Sequence, residues 1–214
     1  MKILTSIPSF VDEVIIIDNG STDNTAGVAR QYRAIVISEK KKGYGYACQA
    51  GLAKAGGDIV VLLDGDNSYP LFEIENLFLY LKREHCDFVV GCRYPLINKN
   101  AQVFVNKIAN YFISWLIRTL FMVNIRDSQS GMIAFNKDIL NKIKIRNTSM
   151  NFCFCQEIKI KAFLHSDINY GEVHISYLPR VGETKFRKID TVIILYSTLS
   201  QWLEMIQGKE KINR

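Results

Sequence analysis

The sequence predicts an α/β fold on three observations: short β-branched runs alternate with helical patterns, several of those runs end on an acidic or polar residue, and the apolar content is high enough for a core. Hydrophobic residues make up 48% of the 214 residues, which suits a single domain over 1–214 rather than two. Val14-Ile15-Ile16-Ile17 reads as a strand ending at Asp18, and Asn19-Gly20-Ser21-Thr22-Asp23 as a turn and helix start. A helix over Asn24 to Arg33 and a strand over Ala34 to Ser38 follow. Next come a basic, glycine-containing loop from Lys40 to Tyr46, a helix from Ala47 to Ala55 closed by Gly56-Gly57, and a strand from Ile59 to Leu63.

After Pro70 an amphipathic helix runs to about Glu84, and Phe88-Val89-Val90 is the next strand. This alternation calls for a parallel sheet. In such sheets ligands lie outside the carboxyl ends of the strands, which here are Asp18, Asp64 and Gly91-Cys92-Arg93. Two amphipathic helices are predicted near 102–121 and 188–207. The first carries its apolar residues at Val105, Ile108, Ala109, Phe112, Ile113, Leu116, Ile117 and Leu120. The second carries them at Val192, Leu195, Tyr196, Leu199, Trp202, Leu203 and Ile206. Packing of these stripes onto the domain is preferred to contact with a membrane surface. Another helix opens at Gln156-Glu157, a strand covers Gly171 to Tyr177, and Met1 to Ile7 reads as the last turns of a helix closed by Pro8.

The net charge of +6 and pI near 9.0 suit an anionic partner without choosing among nucleic acid, phospholipid, nucleotide sugar and lipid phosphate. The five cysteines include no Cys-x-x-Cys pair, so a reducing, cytoplasmic setting is expected rather than a zinc or redox motif. No signal-peptide-like block occurs, and no apolar run is long enough to span a bilayer.

Asp64-Gly65-Asp66 places two carboxylates at a strand tip, the oxygen donors that Mg2+ or Mn2+ shares with phosphate oxygens. An Asp-Gly hairpin turn is the plain alternative, but a helical pattern rather than a second strand follows. Asp18 through Asp23 is by itself a helix cap, and with the acidic tip nearby it becomes a place to read a nucleotide. Arg180 and Lys185 flank Gly182 in a loop that either grips phosphate or is simply solvated. Asp127 to Gly131 and Gln156-Glu157 allow capping roles, and His85, His165 and His174 show no catalytic spacing.

Together these elements resemble glycosyltransferase family 2 with the GT-A fold, and most closely its dolichyl-phosphate or polyprenyl-phosphate sugar synthases. Residues 11–23 look like the first nucleotide motif, and Asp64-Gly65-Asp66 with Pro70 like the acidic motif. Gly91-Cys92-Arg93-Tyr94 is similar to a Gly-Ser-Arg segment, and Asp127 to Gly131 to Asp-x-x-Ser-Gly. Arg180, Gly182 and Lys185 match Arg-x-Gly-x-Ser-Lys, with Thr184 for serine. The resemblance implies a Rossmann-like three-layer sandwich with a mostly parallel central sheet, and inverting transfer from a UDP- or GDP-sugar to a polyprenyl or dolichyl phosphate. It implies a divalent metal, Mg2+ or Mn2+, on Asp64 and Asp66; donor contacts from Asp18, Gly20, Asp23, Asp64, Gly65 and Arg93; and catalytic roles for Asp66, Arg180 and Lys185. Asp127, Ser130, Glu157, Arg180 and Lys185 would serve the acceptor and phosphates. A peripheral position at the cytoplasmic face of a membrane is implied, and no nucleic acid is expected.

The sequence departs from the pattern at Ser68, where glutamine is frequent, and lacks the Gln-x-x-Arg-Trp of processive synthases. The family's first strand and its Asn-Glu loop have no counterpart before Met1, so an N-terminally truncated fold is expected. A sugar-phosphate nucleotidyltransferase, a basic nucleic-acid- or membrane-binding module, and an inactive truncated copy are the alternatives.

Overall fold

The β-branched runs become strands because their side chains pack on both sides of a pleated sheet. In the computed structural model, which describes residues 4–143, 151–182, 184 and 186–207, β1 (Ile15–Asp18) and β2 (Ile35–Ser38) pair in parallel. Helix α1 (Thr25–Gln31) connects them. Helix α2 (Tyr44–Lys54) leads to β3 (Ile59–Leu62), α3 (Glu73–Arg83), β4 (Phe88–Cys92) and α4 (Phe104–Phe121). Then follow β5 (Ile133–Asn136), α5 (Ile139–Ile143), α6 (Phe154–Leu164), β6 (Tyr170–His174) and α7 (Lys188–Ile206).

The larger sheet has the order β3-β5-β4-β6. β4 and β6 are parallel, and β5 lies antiparallel between β3 and β4. Thus β3, β4 and β6 share a direction and β5 alone opposes it. Neither β5 nor α5 is anticipated above, because Met132-Ile133-Ala134-Phe135 is a short, uninterrupted apolar run whose period does not distinguish strand from helix.

The core shows which layers pack together. Phe88 and Val90 face a cluster with Ile133 and Phe135, covered by Cys48 and Leu52 of α2, Ile139 of α5, and Phe154 and Ile158 of α6. Val89 points the other way, to Met132, Ala134 and Ile74, Leu77 and Leu81 of α3, as the two-residue period of a strand requires. Helices on both faces of the sheet make the expected three layers. The β1-β2 pair forms a sheet of its own, joined to the larger unit through α2, where Gly51 lies against Ile17 while Cys48 and Leu52 reach the main core.

Two local expectations change. A 3-10 turn at Leu4–Ser6 stands where the end of an α-helix is expected. Helix α2 starts at Tyr44, inside the predicted basic loop, because Asn19 Oδ1 accepts from Gly43 N at 2.9 Å and its Nδ2 donates to the carbonyls of Glu39 and Lys41.

The two long helices depart further. Helix α4 buries Ile113, Ile117 and Phe121 but leaves Val105, Ile108 and Phe112 exposed. Helix α7 buries Asp190, Ile194 and Thr198, whereas Val192, Tyr196, Leu199, Leu203 and Ile206 of the predicted core stripe point outward. Leu195 and Trp202 of that stripe pack on the cluster of Ile113, Ile117 and Ile194, and on the same inner side Thr198 Oγ1 accepts from Gln156 Nε2 of α6 at 2.8 Å; Asp190 Oδ2 accepts from Arg187 N at 2.6 Å within the helix's own cap.

Phe88 is fully buried and stacks on Phe135 and Tyr170 at centroid distances of 5.6 and 5.7 Å. Truncating it leaves a cavity that neighbours on both sides can fill only in part. Phe88→Ala is expected to lower stability by about 3–5 kcal/mol, measured by urea denaturation.

Candidate active site

Asp64 and Asp66 stand just past the end of β3. Asp66 Oδ1 accepts from Ser68 N at 3.0 Å and from the Ser68 hydroxyl, while Oδ2 pairs with Arg180 Nη2 at 2.9 Å. The Arg180 loop is held there by backbone bonds, Val181 N to Asp66 O at 2.8 Å and Leu178 N to Ser68 O at 2.9 Å. The sequence-predicted residues Asp66 and Arg180 therefore meet, although they are far apart in the chain. Ser68, the departure from the family pattern, is buried and fixes the Asp66 carboxylate.

Asp64 lies deeper. Burial, and then the Asp66 charge, push its carboxyl above the ordinary carboxylate value, against a hydrogen bond from Tyr44 and the charges of Arg180 and Arg93. Gly131 packs against this carboxylate: a Cβ there would sit 2.8 Å from Asp64 Oδ2. Gly65 is exposed, and a Cβ on it would meet nothing within 4 Å. The acidic tip is thus closed on its Gly131 side and open at Gly65.

Arg93 and Asp127 come together, but inside the protein. Arg93 Nε and Nη2 each donate to Asp127 at 2.8 Å, and Arg93 N adds a third bond at 3.0 Å. Neither side chain is more than 5% exposed. This is a correction to the expectation that Arg93 faces a donor phosphate and Asp127 an acceptor, because their charges neutralise one another beneath the tip. Burial opposes ionisation of Asp127, and the Arg93 guanidinium more than offsets it, holding the carboxyl below its ordinary value.

Ser130 and Glu157 are likewise buried, against an expected acceptor contact: Ser130 Oγ donates to Gly91 O at 2.6 Å, and Glu157 pairs with Lys161 at 3.2 Å. The loop from Asp127 to Gly131 rests on Lys159, whose ammonium donates to the carbonyls of Ser128 and Ser130. Burial pulls the Lys159 pKa down to about 8, against the favourable charges of Cys155 and Asp127.

On the β1 side, Asp18 Oδ1 accepts from Ser21 N at 2.9 Å, and Gly20 takes a left-handed φ of 77° in the turn. Asp23 is exposed and held by Thr25, its carboxyl lowered chiefly by the Thr25 hydroxyl. Its visible task is the start of α1. Lys185 lies outside the described residues.

Sequence reasoning missed Tyr44, Cys48, Tyr69, Cys155 and Lys159. The Tyr44 hydroxyl contacts Cys155 Sγ at 3.3 Å, and the Tyr69 hydroxyl accepts from Gly131 N at 2.6 Å. The Cys155 thiol is lowered, first by a hydrogen bond from Cys48 and against burial. The one usable signal is the four-residue spacing of Tyr44 and Cys48, which puts them on one helix face.

A mixed sheet covered by helices on both faces, with an acidic tip past the end of β3, is the arrangement expected of a GT-A fold. The profile of Glycosyl transferase family 2 matches residues 3–144, and the chain belongs to that family of sugar-transferring enzymes. It is 32% identical over 190 residues to a dolichyl-phosphate hexose transferase of Haloferax volcanii, covering 86% of this chain and 79% of that one. A low-salt glycan biosynthesis hexosyltransferase of the same organism is 28% identical over 80% of this chain, which spans 41% of that protein. Among solved structures, glucosyl-3-phosphoglycerate synthase from Mycobacterium tuberculosis in complex with Mn2+, UDP and glucosyl-3-phosphoglycerate shares the fold. Its TM-score is 0.67 at 22% identity, over 93% of this chain and 73% of that one.

Asp127→Asn leaves Arg93 charged and buried without its counter-ion, so a loss of about 3–5 kcal/mol in urea denaturation at neutral pH is expected. A carboxyl held low in the fold adds stability above its ordinary value of 3.8, and that stability is lost as pH falls through the folded value. The gap between the wild type and Asp127→Asn should accordingly shrink in acid.

Proposed function

We propose that this glycosyltransferase moves a sugar from a UDP- or GDP-linked donor to a polyprenyl or dolichyl phosphate, with inversion, and that Asp64 and Asp66 hold the divalent metal that accompanies the donor diphosphate. The observation that carries the reading is the acidic tip itself: two carboxylates past the end of β3, open at Gly65, with Arg180 at Asp66. The Haloferax relative, named for a dolichyl-phosphate acceptor, supports a lipid phosphate. Solved neighbours containing Mn2+ and UDP-glucose support a metal and a nucleotide sugar.

The donor set fits a hard cation. Asp64 is destabilised as an anion by burial and by its neighbour, and a cation relieves both. Among the described residues no three His, Cys, Asp or Glu side chains cluster as metal ligands, so phosphate oxygens and water would complete the shell, as Mg2+ and Mn2+ sites commonly use them. When bound, the ion supplies positive charge to the departing diphosphate.

The protein's own residues do the rest. Asp66 is oriented by Ser68, and Arg180 brings a second positive charge to the same place. Lys185 is proposed from its position in the sequence to act beside it. Asp18, on the turn made by Gly20, is proposed to meet the nucleoside. Arg93, Asp127, Ser130 and Glu157 act through packing, by holding the floor under Asp64. An acceptor phosphate monoester is already largely ionised at neutral pH, so no side chain has to remove a proton.

Asp66→Ala is expected to cut metal-dependent sugar transfer on the order of 100-fold or more with the circular dichroism unchanged. Undiminished turnover by that variant sinks the assignment. Thermal shifts with UDP- and GDP-sugars, each with Mn2+ or Mg2+, identify the base and the ion. Gly131→Ala displaces the Asp64 carboxylate, so it should abolish the metal-dependent thermal shift while the protein still folds; a full shift would show that Asp64 does not need its present position.

A further inference from the structure

Two thiols from elements far apart in the chain meet where α2 packs on α6. Tyr44 and Cys48 are four residues apart on α2, so they lie one above the other on the same face. That face meets α6 through the cluster that holds Cys48, Leu52, Cys155 and Ile158. The Tyr44 hydroxyl stands 3.3 Å from Cys155 Sγ, and the Cys48 thiol donates a hydrogen bond to the same sulfur. Lys159 follows Cys155 by one turn of α6 and brings a buried ammonium to that side of the helix.

The other three cysteines are placed differently. Cys86 Sγ donates to Glu84 O at 3.8 Å, Cys92 Sγ to Tyr94 O at 3.4 Å and Cys153 Sγ to Ile193 O at 3.9 Å. A thiol bonded to a carbonyl keeps its proton, and burial pushes all three up, Cys92 to about 11. Cys155 alone of the five is lowered, first by the Cys48 hydrogen bond and, against burial, by the Lys159 charge. The thiolate is the form of cysteine that attacks an oxidant. Cys48 is 8% and Cys155 6% exposed, which admits a reagent the size of a peroxide and keeps out a bulky one.

We propose that Cys48 and Cys155 are an oxidisable dithiol, a modification site for hydrogen peroxide at which a disulfide joins α2 to α6. The Cys155 thiolate attacks one peroxide oxygen and breaks the O–O bond. The departing hydroxide takes up the proton that the thiol had released, leaving one water and a sulfenic acid on Cys155. The Cys48 sulfur then attacks the Cys155 sulfur, and the sulfenic hydroxyl leaves with the Cys48 proton as a second water. Two thiols are oxidised to one disulfide, and one peroxide is reduced to two waters. Neither step uses a donor, a metal or an acceptor, so the site stands apart from the transfer reading above. Its place gives it reach, because the Tyr44 hydroxyl that rests on Cys155 also bonds Asp64.

The full chain is treated with hydrogen peroxide while folded, quenched with catalase, then denatured, alkylated, digested and analysed by mass spectrometry. A linked pair of peptides containing Cys48 and Cys155 is expected, lost on treatment with dithiothreitol. Both thiols should be consumed at least about tenfold faster than those of Cys86, Cys92 and Cys153. Cys48→Ser, with unchanged circular dichroism, should instead accumulate a sulfenic acid on Cys155 that dimedone traps. Equal consumption of all five thiols overturns the proposal, as does peroxide treatment that leaves Cys48 and Cys155 unlinked. A linkage found only in covalent dimers also overturns it, because the bridge then joins two chains rather than two helices of one. The wild-type linkage decides the matter even where Cys48→Ser fails to fold.

Discussion

Arg93 and Asp127 meet in a two-pronged ion pair shielded from water, and the arrangement around the acidic tip depends on it. The pair ties the end of β4 to the loop that enters β5. That loop sits on the Lys159 ammonium and brings Gly131 against Asp64, with the Tyr69 hydroxyl taking the Gly131 amide. A buried pair of this kind adds little net stability over an apolar replacement, yet breaking it is costly. Its effect is therefore to define position: each partner tolerates burial only where the other stands.

The two aspartates of the tip live in different surroundings. Asp66 is partly exposed, hydrogen-bonded by Ser68 and paired with Arg180. Asp64 is desolvated and lies beside a like charge, which disfavours its ionisation. On the function proposed above, an added cation would compensate the Asp64 carboxylate, and Gly65 between the two aspartates is exposed. Membership of Glycosyl transferase family 2 and the GT-A fold give this electrostatic reading its chemical context.

Helix α7 shows how a local preference is overridden. Its apolar stripe would pack inward if burial of hydrophobic area alone decided the orientation. Instead Thr198 accepts from Gln156 of α6, and turning the helix would leave that buried amide without its partner; Asp190 bonds Arg187 N within the cap of the same helix and turns with it. Val192, Tyr196, Leu199, Leu203 and Ile206 are left outside, while Leu195 and Trp202 of the same stripe pack on the cluster shared with α4.

The sequence by itself determined the succession of strands and helices through β4, the acidic tip at the end of β3, and the resemblance that the family profile agrees with. These are local: β-branched runs, caps and turn residues act within a few positions. It also named Asp66 and Arg180, but not that they touch. Tertiary structure alone decided that β5 enters against its neighbours, that Arg93 and Asp127 turn to each other rather than to the cleft, and that α4 and α7 show apolar faces to the outside. Each of these depends on partners distant in the chain, and the energy of a buried charge or hydrogen bond is settled only once both of its ends are in place.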